Sequence, residues 1–268
     1  MITLCKTCGT SYTLHQDTPK HCIICEDDRQ YVPATGQEWI TPAALNASHT
    51  NKWKQISPTL LTLESVPRFA IGQRAFLVMT PEGNILWDCI ANLDEATRTI
   101  ITALGGLKAI AISHPHYYST MQDWAEAFNA PVYLHADDMA WIMRLSPYIH
   151  LWEGESFDIC REFRLLRVGG HFAGGAVLHG TQGKGMLLSG DIIQVAPGAG
   201  SVSFMWSYPN MLPLPSSAVV DIAQKLQSVP FDALFGAFAG GDIHTDANTI
   251  VQRSAQKYVD CLQGTAIR

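Results

Sequence analysis

Four cysteines crowd the first 25 residues as CKTC and CIIC, with thirteen residues between the two pairs. Each C-x-x-C turn aims two thiolates at one point. Two such turns close a tetrahedral four-sulfur cage, which zinc favours and which leaves no coordination position open. About 35 residues cannot bury enough apolar surface to fold alone, so the metal of such a cage supplies the folding energy. The other three cysteines, Cys89, Cys160 and Cys261, are scattered. An odd total with one clustered quartet fits a reducing compartment and a metal site better than a disulfide framework.

Residues 1–35 resemble a zinc ribbon held by Cys5, Cys8, Cys22 and Cys25, with rubredoxin-like iron as the rival occupant of the same cage. Many ribbons bind nucleic acid. This one carries Glu26, Asp27 and Asp28 beside its second pair, and the chain has a net charge of -6. Nucleic acid and anionic membranes both call for a basic face, so neither is an expected partner. A structural role, or docking of a protein partner through the ribbon, fits better. Residues 36–55 are polar, contain Gly36 and Pro42, and read as a linker to a body spanning residues 56–268.

The body alternates short apolar runs with helical stretches. RAFLVMT and NILWDC flank a PEGN turn and predict a β-hairpin. LDEATRTIITAL predicts a helix, with Asp94 near its start and Gly105 after its end. LKAIAIS, PVYLH, FRLLRV, AVLHG, GMLLSGD and FDALFGAF read as strands. STMQDWAEAF, ADDMAWIMRL, SSAVVDIAQKLQ and NTIVQRSAQKYVDCLQ read as helices. The class is α/β, and both an αββα sandwich and an open sheet satisfy this order. No apolar run approaches the ~20 residues of a membrane span. MITLCKTCGT turns polar too soon for a secretory signal, so a soluble cytoplasmic protein is expected.

Metal-type ligands recur at the strand ends. LKAIAIS runs into SHPHYYST, placing His114 and His116 two residues apart around a stiff proline. GGHFAGG offers His171, LLSGDII offers Asp191 and GGDIHTD offers His244, each beside glycines that let backbone approach a site closely. LHADDMAW adds Asp137 and Asp138, read as helix caps or substitute ligands.

In order and interval these residues resemble the metallo-β-lactamase superfamily, with its His-x-His-x-Asp-His motif, a third histidine, a Gly-Asp carboxylate and a final histidine. The resemblance implies the αββα sandwich over residues 56–250. It implies His114, His116 and His171 as metal ligands, Asp191 as the bridging carboxylate, and His244 as the last histidine. It also implies Asp88 as a support for the histidine loop from behind the ligands.

The motif breaks at its end. Tyr118 and Ser119 stand where the family carries the Asp-His that builds a second metal site. Tyrosine, with an ordinary pKa of about 10, and serine are poor zinc ligands. One body metal is therefore expected: zinc, or else iron or manganese. The expected activity is hydrolysis of an ester, thioester, lactone or amide of a small-molecule substrate, with Asp191, His244 and Tyr118 as the catalytic candidates. VSFMWSYPNMLPLP, rich in aromatics and methionine, would line an apolar substrate pocket. Two other readings compete: a mononuclear non-haem iron oxidoreductase acting on a sulfur substrate, and a non-catalytic ligand- or partner-binding member of the fold.

Overall fold

The computed structural model describes residues 1–14 and 18–265. Its contacts divide the chain into two compact units. One comprises Met1–Leu134 and Met139–Trp152, the other His135–Asp138 and Glu153 onward. No helix among the described residues is long and apolar enough to cross a membrane.

The first unit contains a three-stranded sheet and a seven-stranded one. In the small sheet, Ile2–Cys5 pairs antiparallel with Ser11–Thr13 on one side and with Trp39–Ile40 on the other. The large sheet runs, in spatial order, Ile149–Trp152, Val132–His135, Ala109–Ala111, Ile85–Trp87, Ala75–Val78, Leu60–Val66 and Thr50–Ser57. Its central strands AFLV, ILW and AIA are buried throughout, as near-continuous apolar runs should be. Ala75–Val78 and Ile85–Trp87 form the expected hairpin. Helix Glu95–Ala103 starts where Asp94, expected near its start, accepts the Thr97 N–H at 2.8 Å as the N-cap.

The linker expected at 36–55 is not one. Trp39–Ile40 completes the ribbon's sheet, Pro42–Ser48 is a helix, and Thr50–Ser57 is the edge strand of the large sheet. Pro42 misled because it occupies the first helical turn, where its missing N–H costs nothing and Thr41 caps the end. TNKWKQIS misled because an edge strand keeps its polar side chains exposed.

The second unit has a six-stranded sheet ordered Ser156–Cys160, Phe163–Arg167, Ala176–Gly180, Met186–Gly190, Ala233–Gly236 and Asp242–Ile243. Helices Ser216–Gln227 and Ala247–Leu262 bury Val219, Ile222, Leu226, Val251, Ala255 and Val259 in a cluster with Val177, Leu187 and Leu234 of this sheet. The helix expected at ADDMAWIMRL is only a 3₁₀ stretch, Ala136–Trp141. Its Asp138 faces a loop instead of capping a helix.

Candidate metal centres

The N-terminal cage is assembled as its spacing predicted. Cys5, Cys8, Cys22 and Cys25 are buried, and their sulfurs converge. Sγ of Cys5 lies 3.6 Å from that of Cys25, and Sγ of Cys8 lies 3.6 Å from that of Cys22. A tetrahedron with metal–sulfur bonds of about 2.3 Å has edges of about 3.8 Å, so the spacing suits a shared cation. Polar hydrogens point at the sulfurs: Gln37 Nε2 donates to Cys5 at 3.0 Å, and the Tyr12 hydroxyl sits 3.3 Å from Cys22. The hydrogen bond from Cys22 pulls Cys5 far below the ordinary thiol range, while burial pushes Cys8 well above it. Sulfurs this close do not all ionise together unless a cation offsets their charge.

The body group is built from strand ends. Three residues beyond strand Ala109–Ala111, His114 has extended backbone angles, with φ -169°. Pro115 then opens a 3₁₀ turn, Pro115–Tyr117, that carries His116. Asp88 follows strand Ile85–Trp87 in a left-handed conformation, φ 60°. Its Oδ1 accepts the Ser113 N–H at 2.7 Å, and its own N–H donates to the Ala111 carbonyl. The aspartate therefore anchors the residue just before His114.

His171 follows Gly170, whose φ is +83°. A Cβ on Gly170 would come within 2.7 Å of Ile222 Cδ1, so this turn needs glycine. Asp138, 2% exposed, accepts the Gly174 N–H at 2.9 Å and pins the same loop. His171 Nδ1 lies 3.1 Å from the Met205 carbonyl. A carbonyl only accepts, so Nδ1 carries the proton and Nε2 keeps a lone pair. Asp191 follows strand Met186–Gly190, and its carbonyl accepts the Tyr208 hydroxyl at 2.7 Å. Burial pushes that hydroxyl's pKa up, with the Asp191 charge adding to the effect.

His114, His116, His171 and Asp191 are all buried, and each offers a ligand atom within 4.8 Å of the others. Three imidazoles and a carboxylate are a donor set that zinc, iron and manganese all accept, and a fixed lone pair on His171 suits a cation. His244 is not in this group; it is exposed, with its ring 5.9 Å from that of Phe235. Tyr118 is buried at the end of the histidine turn, where its N–H donates to the Pro115 carbonyl. Asp137 pairs with Arg167 at 2.5 Å and, like Asp138, is not among the four.

The supporting groups Ser113, Met205 and Tyr208 were not foreseen. Ser113 was detectable as the residue before a ligand, whereas the Met205 carbonyl leaves no trace in side-chain identity.

No protein-family model matches the sequence. Among solved structures, the metallo-β-lactamase DIM-1 aligns over 78% of this chain and 99% of its own, with a TM-score of 0.60 at 12% identity. FIM-1 from Pseudomonas aeruginosa, a metallo-β-lactamase solved in a mono-zinc form, aligns over 78% and 96%, with a TM-score of 0.56 at 17% identity. The fold is thus that of the metallo-β-lactamases, and near its N-terminus the chain also brings four cysteines together with the spacing of a cation cage. At 47% identity over 264 residues, 97% of this chain and 96% of its relative, the chain belongs to the same family as the uncharacterized protein YmaE of Bacillus subtilis.

Proposed function

We propose that the chain hydrolyses an ester, thioester, lactone or amide with one cation in its body, held by His114, His116 and His171 with Asp191 on or beside it. The observation that carries this reading is the convergence of those four buried side chains, while Tyr118 and Ser119 stand at the motif's Asp-His positions. The mono-zinc form of FIM-1 supports a one-cation site in this fold. When bound, a cation such as zinc lowers the pKa of water to about 7 and polarises a carbonyl. Asp191 orients the attacking water and takes up its proton. Tyr118 donates a hydrogen bond to the oxyanion that develops at the carbonyl. His244 stays outside the ligand set and hydrogen-bonds the substrate. Zinc in the cysteine cage is structural.

A panel of chromogenic esters, thioesters, lactones and amides tests this on the full chain purified with its metals. Turnover of at least one class is expected, abolished by a chelator. In His116→Ala it should fall by more than the roughly 10–100-fold that loss of a mere supporting partner costs. A chain that holds its body cation yet turns over no member of the panel would overturn the reading.

A further inference from the structure

The ribbon is not an appendage. Its strand Ser11–Thr13 reaches the loop that carries His114 and His116. The Ser11 N–H donates to the Ser119 carbonyl at 3.0 Å, and the Ser11 hydroxyl donates to the same oxygen at 3.0 Å. Both serines are 2% exposed. Ser119 takes a left-handed φ of 46°, a conformation that a non-glycine residue holds only when its surroundings impose it. Gly9, with φ +82°, packs on the same spot. A Cβ there would sit 3.3 Å from Ala91 Cβ and 3.5 Å from Ser119 Oγ.

Ser11 is in turn set by the cage. Cys5 N–H donates to the Thr10 carbonyl at 3.0 Å, Gly9 N–H donates to the Cys5 carbonyl at 2.8 Å, and Cys8 Sγ lies 3.2 Å from the Thr10 hydroxyl, which can donate to it as a thiolate. The first cysteine turn and the docking residue are therefore one hydrogen-bonded piece of chain. Beyond Ser119, Thr120 Oγ1 bonds the carbonyls of Ile90 and Ala91, which closes the far side of the loop.

We propose that Ser11 is a positioning residue for the body's histidine loop, and that filling of the four-cysteine cage governs how firmly His114 and His116 hold their cation. The inference rests on the reading of the body group as a cation site. The ribbon, in this account, has as its docking partner the catalytic loop of its own chain. An unfilled cage frees the Cys5–Thr10 turn, Ser11 withdraws from Ser119, and the left-handed turn relaxes together with the histidines ahead of it.

Cobalt(II) reports the two groups separately in the full chain. Thiolate ligation gives an intense charge-transfer band in the near ultraviolet, whereas nitrogen and oxygen ligation gives only weak visible bands. Wild-type protein should show both. If it shows the thiolate band alone, the body reading has failed and this inference falls with it. If both are present, Ser11→Ala is compared with Thr13→Ala, a control on the same strand. Ser11→Ala should keep the thiolate band and lose body cobalt to a chelator about fivefold faster, the worth of one net hydrogen bond. Ser11→Thr, which retains the hydroxyl, should restore retention. Thermal melting of each variant separates positioning from folding. Unchanged body retention in Ser11→Ala would overturn the proposal. So would loss of both signals together with a collapsed melting temperature, because Ser11 would then serve the fold alone.

Discussion

Replacing Asp88 tests how the histidine loop is held. The residue is 1% exposed and its Oδ1 accepts the Ser113 N–H at 2.7 Å, one residue before His114. Asparagine keeps an acceptor of the same shape and tolerates the left-handed backbone at φ 60°, so Asp88→Asn removes little but charge. A hydrogen bond to an ionised group contributes about 1.5–3 kcal/mol and a neutral one about 0.5–1.5. The difference, about 1–1.5 kcal/mol, corresponds to roughly tenfold weaker retention of the body cation, at the low end of the 10–100-fold seen for groups that orient ligands. Asp88→Ala goes further. It leaves a buried N–H unmatched, at about 1–3 kcal/mol, and places alanine in a left-handed turn, at about 1–2 kcal/mol. Together these should cost about 2–5 kcal/mol of folding stability. Chelator competition on the loaded protein reads the first effect, and denaturant unfolding of the metal-free chain reads the second. If Asp88→Asn holds its cation as tightly as wild type, and Asp88→Ala is no less stable than Asp88→Asn, the aspartate does not organise this loop.

Three further outcomes are expected. Gly170→Ala forces a left-handed alanine against Ile222, and should lower stability by about 2–3 kcal/mol, read as a drop in melting temperature. Asp138→Ala deprives the Gly174 N–H of its acceptor and should cost about 1–3 kcal/mol, with looser retention of the body cation measured by chelator competition. Stripping metal from the cysteine cage with a chelator should lower thermal stability reversibly, recovered on adding zinc, because a cation shared by four converging thiolates contributes folding energy.

Much of the candidate site was legible because its four residues lie at or just beyond the ends of apolar strands and sit beside glycine or proline, features that are local in sequence. The cysteine cage was legible for the same reason: two short turns fix its geometry. What escaped depends on contacts far apart in the chain. Ser11 meets Ser119 across 108 positions, and Asp138 meets Gly174 across 36, so neither leaves a pattern in its own neighbourhood. The early hairpin Thr50–Ser57 with Leu60–Val66 was missed because its edge strand is polar enough to pass for a linker. ADDMAW carries helix-forming residues, yet its two aspartates are drawn off to Gly174 and Arg167, and only a 3₁₀ stretch remains.

Metal stoichiometry tests the central claim most directly. Elemental analysis of the full chain should find two cations, one for the cysteine cage and one for the body group, and a single cation in His116→Ala. Three cations per wild-type chain would contradict the single body site and mean that other side chains replace the ligands absent at Tyr118 and Ser119. One cation in the wild type, unchanged by His116→Ala, would remove the body cation and with it the hydrolase.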